Sequence, residues 1–148
     1  NIVNEHRFDA YEYIMKKNNL KISEDFVRNV EISTEQGYKA MLDILRDGNY
    51  PSAIFCSADS IALGVMNAIH EKGLSIPEDI SIIGIGNLEM SAFIRPALTT
   101  IDVPKGELGK LAAKMLIDRI ENGHQIPVRL DVPFNLIVRK SCAEYKGK

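Results

Sequence analysis

The clearest change of hydrophobic period along the chain lies in residues 51–86, PSAIFCSADSIALGVMNAIHEKGLSIPEDISIIGIG. Residues 53–56 form a short apolar run of the kind found in buried parallel strands. Residues 61–72 then repeat apolar side chains at helical spacing and end before Gly73, and residues 80–85 are apolar again. This order predicts a strand, a helix and a second strand, which a right-handed crossover makes parallel neighbours.

The carboxyl ends of these two strands are the first candidates for a binding site, because ligands of open parallel sheets bind beyond that edge. The first strand is followed by Ser57, Ala58 and Asp59, and the second by Gly86 and Asn87. At such a strand–helix junction, an aspartate is more often a helix cap than a general base. The pattern therefore predicts a site without indicating catalysis.

The flanking segments continue the alternation of helices and extended runs. We predict a helix over residues 5–17, a strand over 26–32, a helix from a Ser33 cap to residue 46, extended chain over 96–103, an amphipathic helix over 105–122 and two short β-type runs within 129–138. The fold class is therefore α/β, with a parallel sheet flanked by helices.

An apolar segment follows the second strand and carries Leu88, Met90, Phe93 and Ile94. Such a segment at the end of a sheet either folds inward as core or forms a subunit interface. Arg7 also has two interpretations. Because a cation near a helix start opposes the helix dipole, Arg7 requires either an anionic partner or a ligand.

Composition narrows the classes of function. The 148 residues suffice for one domain with a core, and a net charge of −2 provides no bulk attraction to nucleic acid. No apolar run is long enough to span a membrane, and the start lacks a methionine and a signal-peptide pattern. We expect the interior of a longer protein, with no DNA contact made by this segment itself.

Catalytic and metal-binding patterns are missing from the sequence. His6, His70 and His124 have no ligand partner at helical spacing, and Cys56 and Cys142 form no Cys-x-x-Cys pair. No phosphate loop and no nucleophile elbow occur. We therefore expect a binding protein that is not an enzyme and holds no metal or cofactor.

Three sequence blocks resemble the effector-binding core of LacI/GalR-type bacterial transcriptional regulators: residues 51–64, residues 73–84, and residues 95–101 followed by Leu108-Gly109. The resemblance extends from about Arg7 to about Cys142. It implies a type I periplasmic-binding-protein-like fold with two lobes, a small-molecule effector between them, and a helix-turn-helix headpiece that binds operator DNA as a homodimer. It implies a cytoplasmic regulator, commonly a repressor.

The resemblance covers only part of that architecture. Residues 1–148 correspond to a truncated effector-binding and dimerisation domain, mostly the second lobe. The helix within residues 104–123 would belong to the first lobe, and the headpiece is absent. Operator DNA would be bound only through that headpiece.

Candidate effector-binding residues follow from the resemblance. Arg7 matches the family's effector-binding arginine, Ile32 a position that is often aromatic, Ala58 a frequent Asn, and Gly86 a frequent Asp. Val103 stands where Gln is frequent. Because hydroxyl-reading side chains are missing at these positions, either the effector is less polar than a sugar, or Asp9 or Asn87 substitutes, or sensing is weakened. The full candidate set is Arg7, Asp9, Ile32, Ala58, Asp59, Gly86 and Asn87.

A dimer face is implied in the same way, and it favours the interface interpretation of the apolar segment. Its residues are Leu63, Met66, Ile69, Leu88, Met90, Phe93 and Ile94. Two other classes of function stay open. An extracytoplasmic sugar-binding protein would share the lobes, and an α/β enzyme would use Asp59 or Asp102.

Overall fold

The computed structural model describes residues 2–123 and 126–145, so that His124 lies outside the described residues. The helices are α1 (Ile2–Lys17), α2 (Thr34–Ile44), α3 (Asp59–Glu71), α4 (Met90–Phe93) and α5 (Lys105–Asn122). The strands are β1 (Ala53–Phe55), β2 (Ser81–Ile85), β3 (Thr99–Asp102) and β4 (Asn135–Ile137). The predicted α/β class is confirmed.

The four strands form one sheet in the order β1-β2-β3-β4. β1 is parallel to β2, with Phe55 opposite Ile83, and β2 is parallel to β3, with Ile83 opposite Thr99. β4 adds an antiparallel edge, with Ile101 opposite Leu136. The predicted β1-α3-β2 crossover is present, and the carboxyl ends of three parallel strands meet at one edge of the sheet.

The core lies between this sheet and the pair α2 and α3. Helix α3 buries an inward stripe at helical spacing, as its sequence period predicts. The buried apolar side chains are Met41, Leu45, Cys56, Ile61, Ala62, Val65, Met66, Ala68, Ile69, Ile76, Ile80, Ile82 and Leu98. The Ser33 cap is confirmed as well, because its Oγ accepts a hydrogen bond from the Gln36 amide at 3.1 Å.

Two glycines allow α2 and α3 to pack backbone against backbone. A Cβ atom on Gly64 would lie 1.9 Å from the carbonyl oxygen of Thr34, and one on Gly37 would lie 2.3 Å from the carbonyl oxygen of Ile61. Real Cβ atoms do not approach oxygens this closely. Any side chain at either position therefore forces the helices apart.

The predicted strand over residues 26–32 is wrong. Glu24–Phe26 form a 3₁₀ turn, and the following residues are irregular. Within the described residues, β1 pairs only with β2, and residues 26–32 do not join its free edge. Two apolar side chains of this segment differ in burial: Val30 packs against the core, whereas Ile32 is exposed.

The region after β3 is packed differently. Helix α5 has the bounds that its sequence predicts, but none of its described residues is buried. Of the two predicted β-type runs within residues 129–138, only β4 pairs with the sheet. The apolar side chains exposed across this region are Leu108, Leu116, Ile117, Ile120, Ile126, Val128, Leu130, Phe134, Leu136 and Val138.

Of the helices in the described part of the chain, none combines the length and the apolar character needed to cross a membrane.

Candidate functional site

The end of β1 brings Arg7 to the sheet edge. The Arg7 Nη1 atom, on helix α1, donates a hydrogen bond of 2.8 Å to the carbonyl oxygen of Ser57, two residues beyond β1. Ala58 follows as the N-cap residue of α3, with extended φ and no side-chain oxygen to offer. The structure thus brings Arg7 to Ser57 across 50 residues of sequence, and Ala58 is the next residue along the chain.

Asp59 lies behind this edge and is fully engaged. Its side chain is 1% exposed. Its Oδ2 atom accepts hydrogen bonds from the Leu88 amide at 2.9 Å and the Ser91 hydroxyl at 2.6 Å, and its Oδ1 atom accepts from the Thr100 hydroxyl at 2.5 Å. A buried carboxylate that accepts three hydrogen bonds from the protein stabilises the fold. We therefore assign Asp59 a structural role and not a contact with the effector.

Gly84 makes room for that anchor. A Cβ atom at this position would lie 2.3 Å from Asp59 Oδ1 and 3.2 Å from a Leu98 methyl carbon. In the Gly84-Ile85-Gly86 sequence, Gly84 is thus explained by packing around a buried carboxylate. It is not part of a dinucleotide-binding loop, since no helix begins directly behind it.

The end of β2 places Asn87 in a polar network. Asn87 Nδ2 donates to Asp102 Oδ1 at 3.1 Å, and Asn87 Oδ1 accepts from Arg139 Nη2 at 2.7 Å. Arg139 also donates to the Leu98 carbonyl oxygen at 2.7 Å. These two partners fix the orientation of the Asn87 amide, because the arginine supplies only donors and the carboxylate only acceptors.

A lysine completes this edge. Lys105, the first residue of α5, donates from Nζ to the carbonyl oxygen of Gly86. Neither Lys105 nor Arg139 is among the site residues predicted from the sequence. Applying the strand-end rule to β3 would have selected Lys105, which follows that strand by three residues. Arg139 lies 52 residues from Asn87 and had no local signal.

Gly86 has a backbone reason for its identity. Its φ of +127° lies in a region that residues with a side chain rarely adopt, although there is open space where a Cβ would be. Neither Gly86 nor Ala58 can therefore supply a hydroxyl-reading side chain. The edge presents Arg7, Asn87, Asp102, Lys105 and Arg139 instead.

Two predicted site residues do not join this edge. Asp9 follows Arg7 by two positions, which is about 200° around a helix, so the two side chains leave α1 on opposite sides. Its side chain is 71% exposed and lies 4.0 Å from His6 Nδ1. Ile32 is 56% exposed in the irregular segment before α2.

The predicted dimer face is only partly at the surface. Met66 and Ile69 are 3% and 0% exposed, so both pack inside this chain, and their assignment to the interface is corrected to the core. Leu63 and Ile94 are half-buried. Leu88, Met90 and Phe93 remain exposed on and beside α4, held in place by the Asp59 anchor.

The buried thiol near the edge is not poised to react. Burial raises the pKa of Cys56 to about 12, and the Asp59 carboxylate adds to this shift. Cys142 is half-buried, and its Sγ atom lies 3.0 Å from the Ile82 carbonyl oxygen. Among the described side chains, no three His, Cys, Asp or Glu residues are grouped as metal ligands.

Surface grooves lie elsewhere on the molecule. One of about 610 Å³ runs between α1 and the 3₁₀ turn, beside Phe8 and Leu20. Another of about 510 Å³ follows α5, beside Ala113 and Ile117. Neither of these two grooves lies at the strand carboxyl ends.

This edge, on a mostly parallel sheet whose last helix is unpacked, can be compared with known proteins. Residues 3–142 match the model of the periplasmic binding protein-like domain. The chain belongs to this family. The match includes Arg7, the α3 crossover and Arg139, which are the parts that build the edge.

Sequence relatives are transcriptional regulators. The chain is 38% identical over 138 residues to the HTH-type transcriptional repressor PurR of Escherichia coli O1:K1 / APEC, which covers 93% of this chain and 40% of that protein. The chain thus spans less than half the length of this relative. It is homologous to LacI-family regulators, as the three sequence blocks indicated.

Solved structures agree with this placement. A putative LacI transcriptional regulator from Bacillus cereus subsp. cytotoxis NVH 391-98 superposes with a TM-score of 0.93 at 29% identity, over 97% of this chain and 51% of that one. A LacI-family regulator from Enterococcus faecium with bound ribose gives a TM-score of 0.71 at 36% identity, over 78% of this chain and 42% of that one.

Proposed function

We propose that this chain is the effector-sensing and dimerisation part of a bacterial LacI-type, DNA-binding transcriptional repressor. The observation that carries the proposal is the edge at the strand carboxyl ends, where Arg7 bonds the chain just beyond β1 and Asn87 lies just beyond β2. The homology to LacI-family regulators supports it. The complete protein would act in the cytoplasm and bind an operator through an N-terminal headpiece.

The effector occupies the cleft between this lobe and a first lobe. Helix α5 belongs to that first lobe, which accounts for its lack of buried residues here. The edge of β1 to β3 forms one wall, with Arg7, Asn87 and Asp102 as polar contacts and Ala58 and Gly86 as close-approach positions. A sugar or sugar derivative is the proposed class of effector, and binding rather than catalysis is the proposed activity.

Dimerisation places two copies of the α4 surface against each other. The exposed side chains of Leu88, Met90 and Phe93 provide its apolar centre, and Leu63 and Ile94 lie at its margin. An isologous pairing of this kind buries each patch against its own copy. Effector binding then biases two arrangements of the lobes, and with them the spacing of the two headpieces.

The test uses the complete protein and selection of genomic DNA fragments, followed by a screen of sugars, sugar phosphates, purines and amino acids by thermal unfolding. We expect a specific operator, and an effector that changes operator affinity. Arg7→Ala should abolish the effector response and leave operator binding intact, since Arg7 lies at the edge and outside the core. Lys16→Ala, an exposed cation on the same helix, is the control.

A protein that selects no DNA would refute the regulatory function, and an unchanged response in Arg7→Ala would refute the role of that arginine. The dimer surface is tested separately. Phe93→Glu should convert the protein to monomer in sedimentation velocity, because it places a charge at the exposed centre of the patch. A dimer that persists in this variant would assign the interface elsewhere.

A further inference from the structure

Two cations face the same end of the sheet. Arg7 donates to the Ser57 carbonyl oxygen beyond β1, and Lys105 donates to the Gly86 carbonyl oxygen beyond β2. β1 and β2 are adjacent parallel strands in register, with Phe55 opposite Ile83. Neighbouring strands lie about 4.8 Å apart, so the two positive side chains reach carbonyls on neighbouring chain segments.

Neither cation is neutralised by a carboxylate within the described part of the chain. The interactions described for Arg7 and Lys105 are the two hydrogen bonds to backbone carbonyls. A guanidinium carries five N–H donors and an ammonium three, so most of their donors remain available. A neutral carbonyl satisfies one donor but does not compensate the charge, and positive potential therefore remains at this edge.

The two nearby carboxylates offset only part of this charge. Asp59 is buried and keeps its negative charge, because its three hydrogen-bond donors are neutral. Asp102 accepts from Asn87, while Arg139, a third cation at the edge, donates only to a carbonyl and an amide oxygen. Three cations therefore lie near two carboxylates, Asp59 in the first turn of α3 and Asp102, so that one positive charge remains in excess at this edge.

We infer that the effector carries a compact oxyanion, a phosphate or a carboxylate, held between Arg7 and Lys105. This inference rests on the proposed effector-binding function and specifies its ligand. A neutral sugar is read best by paired carboxylate and amide groups. Ala58 and Gly86 supply neither, and the Asn87 amide is already bonded to Asp102 and Arg139. A charged group on the ligand replaces those contacts with charge-assisted hydrogen bonds. Asp102 remains to accept a hydroxyl of the same molecule.

The test measures the thermal unfolding midpoint and calorimetric affinity of the complete protein with four probes: inorganic phosphate, D-ribose 5-phosphate, D-gluconate and neutral D-ribose. Ionic strength is held constant with sodium chloride. We expect at least one oxyanion probe to bind more tightly than ribose and chloride. Lys105→Gln and Arg7→Gln should each weaken that binding about tenfold or more. Comparing phosphate with gluconate distinguishes the two oxyanions.

Lys110→Gln is the matched control, because it removes an exposed lysine from the same helix without touching the edge. Ribose binding as tightly as ribose 5-phosphate and gluconate would overturn the inference. The inference would also be overturned if Lys105→Gln and Lys110→Gln weakened oxyanion binding equally, or if none of the oxyanion probes bound. If the same protein still selects operator DNA, only the oxyanion inference fails. If it selects none, the proposed function fails with it.

Discussion

Helices α3 and α5 are both amphipathic, and they have very different surroundings. Helix α3 buries an inward stripe against α2 and the sheet, whereas no described residue of α5 is buried. Both were predicted with nearly correct bounds, because local periodicity determines a helix whether or not its partner is present. Burial depends on the partner. The contrast separates a packed unit, residues 34–102 with Arg139 and Ser141 bonded to it, from a helix that requires another surface.

The most sensitive point of the packed unit is the Asp59 anchor at the start of α3. Asp59→Ala leaves the Leu88 amide and the hydroxyls of Ser91 and Thr100 without their acceptor. We expect the free energy of unfolding of the complete protein to fall by about 4 kcal/mol in urea titrations, since each unsatisfied buried donor is costly.

Asp118→Ala provides the comparison in α5, where the carboxylate is exposed and hydrogen-bonded to Asn122. Its cost should stay below about 0.5 kcal/mol, as for most surface substitutions. Equal losses in the two variants would show that Asp59 does not anchor the fold. If Asp59→Ser were folded but monomeric, the Asp59 anchor would also be required to position the α4 surface.

A somewhat smaller effect is expected from the close approach of α2 and α3. Gly64→Ala sets a methyl group against the Thr34 backbone at 1.9 Å, and backbone cannot rotate away as a side chain can. The helices must separate, which should cost about 2–3 kcal/mol in the same titrations. Circular dichroism at low denaturant checks that the variant keeps its helices.

The matched substitution is Gly106→Ala in α5, where a Cβ would have nothing within 4 Å. Alanine favours helix over glycine, so we expect stability to be unchanged or raised by less than about 1 kcal/mol. A large loss of stability in Gly106→Ala would mean that another part of the complete protein packs tightly on the start of α5. The difference in packing between α3 and α5 would then hold for these 148 residues but not for the complete protein.

Most of the architecture could be predicted from the sequence because it depends on local period and on strand–helix order. The crossover from β1 to β2 and the edge beyond them followed from those two features. The strand over residues 26–32 could not be judged in this way, since pairing requires a neighbouring strand that the period does not reveal. For the same reason, a sequence pattern does not distinguish an apolar side chain of the core from one of a subunit interface. Met66 and Ile69 illustrate this, because both were predicted at the interface and both are buried in the core.

The structure locates the predicted site residues, but their part in effector binding stays a prediction. Ala58, Gly86 and Asn87 lie at the strand ends and Arg7 bonds the chain beyond β1, while Asp59 is an internal anchor. Arg139 could not be found, because its contact with Asn87 spans 52 residues. Long-range polar contacts of this kind depend on the register of β4 against β3, which no local pattern encodes.

The smallest expected effect concerns Cys56, which is buried at the end of β1. An ordinary thiol in the unfolded chain has a pKa of about 8.5, and burial raises that of folded Cys56 to about 12. The unfolded chain therefore loses this proton first as the pH rises. The stabilising contribution is complete below about pH 8.5 and is lost as the pH approaches 12. Comparison with Cys56→Ala isolates this contribution from other groups that titrate in alkali.

Between pH 8 and pH 10, the free energy of unfolding of the wild type should fall by about 1–2 kcal/mol more than that of Cys56→Ala. The matched variant is Cys142→Ala, whose thiol is half-buried, and it should follow the wild type. If wild type and Cys56→Ala fell in parallel, the thiol would have access to water in the folded state. The end of β1 would then be accessible to water, as α5 is, and would not belong to the packed unit.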